Sequence, residues 1–361
     1  PSYRGKPTAG EITPPGGKGQ YGGPFDYYGH HFYCSNRNPL MFTVMPYEAM
    51  LRNPHAGITQ NYEDIAPAGA DTRVFPLKIT HTTADAHAGT NTASCGLGVY
   101  RGHLMPELKN NVFVPDPTGQ LVTRYRIEPK GASLKATRVG DRTEFFRSAD
   151  EWCRPVNFTT GPDGAIYICD MYRRWIDHAR FFPEEFVKAN DMRQGEHQGR
   201  IWRVMPKGTV GVKALADQKK APEGSPASTD RLKASHPLPP ITPAEKIEDL
   251  VAWLGHENAW QRETAQRLLA EKGRDDRQTP PAEHKERILF TELLLQADAG
   301  EQPDAQLIAR CAAAIIGSPD DPWMAKAALS SCKRSAGHVL AKLLADERFT
   351  KAYSVVKNDT V

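Results

Sequence analysis

Short runs of alternating apolar and polar positions dominate the first part of the chain. The clearest pair lies in EWCRPVNFTTGPDGAIYICD (residues 151–170), where the runs Val156–Phe158 and Ile166–Ile168 flank a Gly-Pro-Asp-Gly turn. Asp163-Gly164 suits such a turn, because Asp tolerates the sharp backbone and Gly adopts a positive φ without steric cost. We therefore predict an antiparallel hairpin here.

The same pattern recurs along the chain. It predicts a second hairpin from HFYCSN to MFTVMPY and further strands at Arg73–Thr80, Leu97–Tyr100, Asn111–Pro115, Leu121–Ile127, Glu144–Arg147 and Gly199–Met205. Short strands with a turn about every 8–12 residues are typical of a sandwich, a barrel or a propeller. The order of strand, turn, strand, longer loop and strand favours four-stranded propeller blades. Residues 171–198 carry aromatic and charged side chains at helix-like spacing, which predicts an insertion that caps one face.

The pattern changes after residue 206. Residues 207–241 contain almost no large apolar side chains and are predicted to form a linker between a β domain (1–206) and a helical domain (242–361). In the helical domain the apolar period becomes 3.6, with one stripe at Ile247–Leu254 and another at Trp260–Leu269. Further helices are predicted at Glu283–Gln296, Asp304–Ile316, Trp323–Lys333 and Gly337–Ala345. Paired helices joined by small-residue turns indicate stacked helical hairpins.

Composition narrows the classes of function. A hydrophobic content of 39%, with 29 Gly and 29 Pro, suits a loop-rich β domain. The net charge is +3, and no basic block is interleaved with aromatic residues, which gives nucleic-acid binding little support. No apolar run approaches the ~18 residues of a membrane-spanning helix. The six cysteines form neither C-x-x-C nor C-x-x-C-H, which excludes a zinc ribbon or covalently attached haem within this chain.

Several stretches carry a family resemblance, and they occur in the family's order. They are GQYGGPFDYYGHHFYCSNRNP, TASCGLGVYRG, NNVFVPDPTGQLVTRYRIEPKG, WCRPVNFTTGPDGAIYICDMYRR and QGRIWRV. These stretches resemble the C-terminal blades of the glucose/sorbosone dehydrogenase-like β-propellers, most closely the planctomycete-type "membrane-bound dehydrogenase" family. The helical region is similar to HEAT-like repeats. The resemblance implies an all-β propeller, partial in this chain, followed by an all-α HEAT-like solenoid.

The resemblance also implies an assembly larger than this chain. The strands suffice for about three blades, and an open half-propeller would leave long unpaired edges. The chain opens at Pro1 without an initiator Met or a signal-peptide core. We therefore expect missing blades or a complementary chain. The family further implies an exported protein of the periplasm or cell envelope, soluble in this region, with a cytochrome c acceptor and a carbohydrate as partners.

The resemblance assigns candidate site residues. Arg154 stands where sugar-oxidising propellers place an arginine that faces pyrroloquinoline quinone, which binds there with calcium; Arg pairs bidentately with the carboxylates of such a quinone. An inter-blade salt bridge is the alternative role of Arg154. Thr92 and Ser94, within TNTASCG, could hydrogen-bond the quinone or only build a turn. Asp170 and Arg173 could line the same funnel or form an ion pair that holds the insertion.

The sequence also departs from the family pattern. The quinone-dependent dehydrogenases have a lysine in the loop that matches Pro115–Gly119, and this chain has none. Hydride abstraction needs a base close to the substrate hydroxyl, and no residue here can be assigned that role. His81 and His87 lie in a polar loop, where their spacing defines no metal geometry.

Three functions stay open from the sequence. The first is part of a quinoprotein-like oxidoreductase that oxidises a sugar or alcohol and passes electrons to a cytochrome. The second is a non-catalytic propeller–solenoid module that binds a glycan or a protein. The third is a structural subunit of a larger complex.

Overall fold

The protein contains both β-sheets and α-helices. The computed structural model describes residues 19–79, 89–176, 178–207, 246–272, 293, 304–332 and 335–354. In these residues eleven strands form three antiparallel sheets, none of which closes into a barrel. Eight α-helices accompany them, six of which follow residue 246.

The first sheet has the order β1 (Phe32–Ser35), β2 (Asn38–Thr43) and β3 (Tyr62–Asp64). An extended segment before β1 adds isolated bridges from Tyr21 to Cys34 and from Phe25 to His31. The segment therefore lies along the free edge of β1 as a fourth, irregular strand.

The second sheet has five strands. It comprises β4 (Gly98–Val99), β5 (Val112–Asp116), β6 (Leu121–Lys130) and β7 (Ser133–Arg138) in that order, and β8 (Phe146–Arg147) pairs with the start of β6. Each connected pair is antiparallel, so the sheet is a simple meander from β4 to β7.

The third sheet confirms the hairpin predicted in residues 151–170. Strands β9 (Pro155–Thr160) and β10 (Ile166–Asp170) pair antiparallel, with Ile168 opposite Phe158. Strand β11 (Arg200–Val204) pairs with the other edge of β10.

The second and third sheets pack against each other through β4, β5 and β9. The rings of Phe113 and Phe158 stack with centroids 4.6 Å apart and planes within 5°. Phe158 N donates to Gly96 O (3.1 Å), just before β4. Gly98 permits this approach, since a Cβ there would lie 2.2 Å from the Phe158 ring. The strands that begin the successive sheets therefore lie side by side.

The helices occur in two regions. Two short ones lie among the strands, α1 (Tyr47–Arg52) and α2 (Glu184–Ala189). The others are α3 (Ile247–Trp253), α4 (Ala259–Glu271), α5 (Ala305–Gly317), α6 (Pro322–Ser331), α7 (Ala336–Leu344) and α8 (Glu347–Ser354). Asn258, Asp304 and Asp321 cap α4, α5 and α6 by accepting backbone N–H groups. The helices predicted around residues 250, 265, 310, 325 and 340 are thus confirmed.

The helical region packs directly on the sheets. One apolar cluster includes Phe32 and Leu40 of the first sheet together with Leu307 and Trp323 of the helices. Trp323 Nε1 also donates to Glu63 Oε1 (2.6 Å). Burial of shared apolar surface is the main stabilising contribution to such a contact.

One predicted strand is wrong. Residues 73–79 of the predicted strand Arg73–Thr80 form no strand, and Thr80 lies outside the described residues. Pro76 offers no N–H to a ladder, and Phe75 N donates to the Glu144 side chain (2.9 Å) instead of a neighbouring strand. Two strands (β3 and β7) and the helices Tyr47–Arg52 (α1) and Glu347–Ser354 (α8) are additional to the prediction.

Several other predictions concern residues that the structure does not describe. Of the predicted linker 207–241 only Lys207 is described, and of the predicted helix Glu283–Gln296 only Leu293. His81 and His87 also lie outside the described residues. In the described residues of the insertion 171–198, the helical segments are α2 and a short 3₁₀ helix, Ala179–Phe181. Among the described residues, no helix has the length and apolar character needed to cross a membrane.

Candidate functional site

A cleft of about 500 Å³ opens where the first strands of the three sheets converge. Tyr21 and Gly22 contribute from the segment beside β1, Thr92, Ala93, Cys95 and Gly96 from the approach to β4, and Val156 and Asn157 from β9. Two turns complete the mouth of the cleft: Asn36 lies in the turn after β1, and Pro117-Thr118 in the turn after β5. All three sheets therefore build this one site.

Asp116 at the end of β5 organises the cleft wall. Its Oδ1 accepts Thr118 N (3.0 Å) and Gly119 N (3.2 Å), and its Oδ2 accepts Thr92 N (3.1 Å). The side chain is 1% exposed. Burial raises the pKa of the Asp116 carboxyl, and the backbone N–H donors oppose that shift. One carboxylate thus joins the 116–119 loop to the segment that carries Thr92.

Thr92 lines the cleft, and its hydroxyl is not used in an internal hydrogen bond among the described residues. Thr92 Oγ1 is buried and has no hydrogen-bond partner within the described part of the chain. Ser94 differs, because its Oγ accepts Asn91 Nδ2 (2.7 Å) and the residue is fully buried behind the cleft wall. An unpaired buried hydroxyl is costly unless a ligand or water completes it. Thr92 is therefore the candidate residue at the cleft whose hydroxyl lacks a protein partner.

Arg154 binds backbone carbonyls behind the cleft. Its Nη1 donates to Pro117 O (2.9 Å), its Nε to Arg173 O (3.0 Å) and its Nη2 to Arg174 O (2.7 Å). The residue is 3% exposed and does not line the cleft. The guanidinium thus joins the β5–β6 loop to the start of the 171–198 insertion. Its predicted contact with a cofactor stays a prediction.

Asp170 supports the same region. Its Oδ1 accepts Arg154 N (2.7 Å) and Tyr172 N (2.9 Å). Its Oδ2 accepts Arg200 Nε (2.6 Å) and Trp202 Nε1 (2.9 Å). Burial would raise the pKa of this carboxyl, but the four donors outweigh burial, so the pKa lies below its ordinary value. The carboxylate is saturated by protein donors.

Arg173 and its neighbour hold the insertion in place. Arg173 Nη2 donates to Glu196 O (3.0 Å), and Arg174 Nη2 pairs with Glu151 Oε2 (2.9 Å). Of the five candidate residues, Arg154, Asp170 and Arg173 thus form one network, Ser94 lies in the core, and Thr92 alone lines the cleft.

Sequence reasoning did not identify several residues of the cleft. Tyr21 (47% exposed), Asn36 and Asn157 line it, and Asp116 supports it. Only Asp116 had a signal in the sequence, because Asp before Pro-Thr-Gly is typical of a turn in which the side chain accepts backbone N–H groups. The others are brought together by contacts between sheets.

The cleft is uncharged, and its polar groups lie among apolar side chains such as Val156, Met171 and Ile176. Its described lining supplies hydroxyl, amide, thiol and aromatic groups and no Lys, Arg, Asp or Glu. These residues do not fit pyrroloquinoline quinone, whose three carboxylates require cationic partners. They do fit a neutral ligand with many hydroxyl groups, since threonine and asparagine both donate and accept. Within the described ranges, no group of three or more His, Cys, Asp or Glu side chains is arranged to hold a metal ion.

The fold and site define a protein of mixed β-sheet and helix content with an uncharged cleft where three sheets meet. The family model for a domain of unknown function (DUF7133) matches residues 2–208, more than half of the chain. The chain therefore belongs to that family, and the whole cleft lies in the matched region. No curated protein and no solved structure matches the chain.

Proposed function

We propose that the three sheets are consecutive blades of a β-propeller and that the C-terminal helices form a HEAT-like solenoid. The second sheet supports this, because β4 to β7 form a four-stranded meander. The segment at Tyr21–Phe25 with β1–β3 has the same order, and β9–β11 supply three strands of another such sheet. Face-to-face packing at Phe113 and Phe158 is the contact expected between neighbouring blades.

A closed propeller needs more blades than these three sheets supply. A ring of typically 4–8 blades leaves only short, protected edges. In this proposal the remaining blades come from another part of a longer polypeptide or from a complementary chain, and the cleft lies at the propeller axis.

The function we propose is binding of a neutral carbohydrate in this cleft. The observation that carries the proposal is the lining, which combines the exposed Tyr21 ring with the unpaired Thr92 hydroxyl and the amides of Asn36 and Asn157. An aromatic face packs on the apolar C–H surface of a sugar ring, while amides and hydroxyls recognise its hydroxyl groups. Without a charge in the lining, a neutral ligand leaves no ion unpaired.

An oxidoreductase acting on the same ligand is the second candidate. The family resemblance and the position of the cleft at the proposed axis support it. A quinone with calcium would need cations and oxygen ligands beyond those that line this cleft, so other blades would have to supply them. The oxidoreductase candidate also includes export to the periplasm or cell envelope and a cytochrome c that accepts the electrons.

The test is sugar binding to the full 361-residue chain. Calorimetry with glucose, galactose and the α-1,4- and β-1,4-linked glucose tetrasaccharides should give saturable binding to at least one probe. Thr92→Val should weaken that binding about 3- to 10-fold, because one neutral hydrogen bond is lost. Thr143→Val, at an exposed threonine outside the cleft, is the matched control and should bind as the unaltered chain does.

Two outcomes would count against the proposal. One is the absence of saturable binding to every sugar, and the other is equal loss of binding in both threonine variants. Sugar-dependent reduction of a redox dye after addition of pyrroloquinoline quinone and Ca²⁺ would favour the oxidoreductase over the binding module.

A further inference from the structure

A second cleft, of about 480 Å³, lies between the sheets and the helices. We call it the two-histidine cleft. Its chemically active side chains are Tyr27, His103 and Lys109 from the sheet region and His256, Glu257 and Arg262 from the helical region. The cleft is on the side of the molecule where α4 packs, since Ala259 N donates to Arg101 O (2.9 Å).

Two cations in this cleft, Lys109 and Arg262, lie near the same aromatic ring, that of Tyr27. Lys109 Nζ lies 5.8 Å from the centroid of the Tyr27 ring, and Arg262 Cζ lies 4.9 Å from the same centroid. Arg262 Nη1 donates to the carbonyls of His256 (2.5 Å) and Glu257 (2.9 Å), which holds its guanidinium at the cleft. Neither cation forms an ion pair with a carboxylate among the described residues. Both charges are therefore available to an anion.

The two histidines add further donors. Their rings pack edge to face with centroids 5.6 Å apart. Asn258 N donates to His256 Nδ1 (2.9 Å), so the proton of the neutral His256 ring is on Nε2. His103 Nδ1 is buried and has no partner in the described part of the chain. Both rings line the cleft, and the Nε2–H of the neutral His256 ring remains as a donor.

The charges around these rings favour a negative ligand. Burial and the neighbouring His256 lower the pKa of His103, while Glu257 and Asp163 act in the opposite direction. Burial and Arg262 also lower the pKa of His256, again opposed by Glu257. Asp163 is already paired with Arg203 (2.6 Å), and Glu257 is exposed. Lys109 and Arg262 therefore outnumber the one carboxylate that lines the cleft.

From this geometry we infer that the two-histidine cleft binds a small dianionic oxyanion, a phosphate or sulfate group. Lys109 and His103 would bind it from the sheets, and His256 and Arg262 from the helices. Because both regions donate to the same ion, its binding would strengthen their contact. This site is separate from the neutral cleft described above and does not depend on the proposed carbohydrate function.

The test uses the full chain and two inorganic probes, sulfate and phosphate, with acetate as a monoanionic comparison. Calorimetry near pH 7 should give saturable binding of sulfate or phosphate with a dissociation constant on the order of 1 mM. Binding of sulfate, which stays dianionic, should be tighter at about pH 5 than at about pH 8, because the pKa of each histidine lies below the ordinary 6.5 and protonation adds positive charge. Preference between the two probes indicates which group the site takes.

Lysine variants locate the site. Lys109→Gln should weaken sulfate binding about 5-fold or more and reduce the rise in thermal midpoint that sulfate causes. Lys326→Gln is the matched control, because Lys326 Nζ also stacks on an aromatic ring (3.8 Å from the Trp323 centroid) but lies outside the cleft. Absence of saturable binding of both dianions would overturn the inference. Equal loss in both lysine variants, or binding of acetate as tight as that of sulfate, would overturn it as well.

Discussion

Charged residues buried around the neutral cleft bind mainly to the backbone. Asp116 accepts N–H groups of the 116–119 loop, Arg154 donates to three carbonyls, and Asp170 accepts two backbone N–H groups and two side chains of β11. Buried ions are stable only when such partners replace water. These residues therefore hold loops in position, and the groups that line the cleft are the uncharged ones.

The sequence shows the residue types of this network but not their partners. Arg154 at the mouth of a hairpin required a partner, and the sequence suggested a carboxylate. Its actual acceptors are carbonyl groups of Pro117, Arg173 and Arg174. Every residue offers a carbonyl, so nothing in the sequence distinguishes these three from the rest.

Asp170→Asn tests the network. We expect a loss of about 3 kcal/mol in unfolding free energy near pH 7, because Arg200 would lose a buried carboxylate partner. The pKa of Asp170 is lowered by folding, so its contribution is present above the ordinary value of 3.8 and is lost as the pH falls through the folded value. The variant should therefore show less loss of stability between about pH 5 and acid pH than the unaltered chain.

Denaturant titration at several pH values measures both effects. Asp191→Asn is the control, because Asp191 is exposed and accepts only the local Arg193 N (2.9 Å). An Asp170 variant as stable as this control would contradict the argument.

At the scale of elements, the sheets approach each other at glycines. Gly96 has φ +32°, and a Cβ there would lie 1.9 Å from Val156 O of β9. Gly98 lies against the Phe158 ring. The alternation of apolar and polar residues predicted both neighbouring strands. The sequence TASCGLG does not show, however, whether a glycine is needed for a turn or for close packing.

Gly96→Ala should separate β4 from β9. We expect a destabilisation of at least about 3 kcal/mol, because the clash is with a backbone atom and not with a movable side chain. Gly57→Ala is the matched control, with φ +62° and open space around the position, and should cost about 1 kcal/mol for conformation alone. Thermal or urea unfolding measures the difference, and equal costs at the two glycines would rule out the packing explanation.

At the scale of the whole molecule, the helices and sheets are connected at the hairpin turn. Asn258 caps α4 through Oδ1, which accepts Trp260 N (3.2 Å), while its Nδ2 donates to Gly161 O and Pro162 O (both 3.0 Å). Gln261 Nε2 donates to the same Pro162 O (2.9 Å). The turn between β9 and β10 is thus the surface on which α4 docks.

Asn258→Ala should weaken this docking in addition to removing a cap. We expect a loss of about 2–3 kcal/mol in unfolding free energy. The lost cap accounts for about 1 kcal/mol, and the two lost bonds to the turn account for the remainder. Asp304→Ala removes the cap of α5, which accepts Gln306 N and Leu307 N, without a bond to the sheets, and should cost about 1 kcal/mol. Limited proteolysis after α4 should be faster in the Asn258 variant only, and equal rates in the two variants would contradict the docking role.

The sequence by itself determined the positions of most strands and helices. Hairpins β1–β2 and β9–β10 and helices α3 to α7 lie where period-two and period-3.6 patterns predicted them, because these patterns and their turns depend on residues close in the chain. Tertiary structure decided that residues 73–79 bind a side chain and not a strand, that Thr92 lines the cleft while Arg154 lies behind it, and that Asn258 at the start of α4 binds a turn 97 residues earlier. These features depend on groups distant in sequence, and only the packed chain brings those groups together.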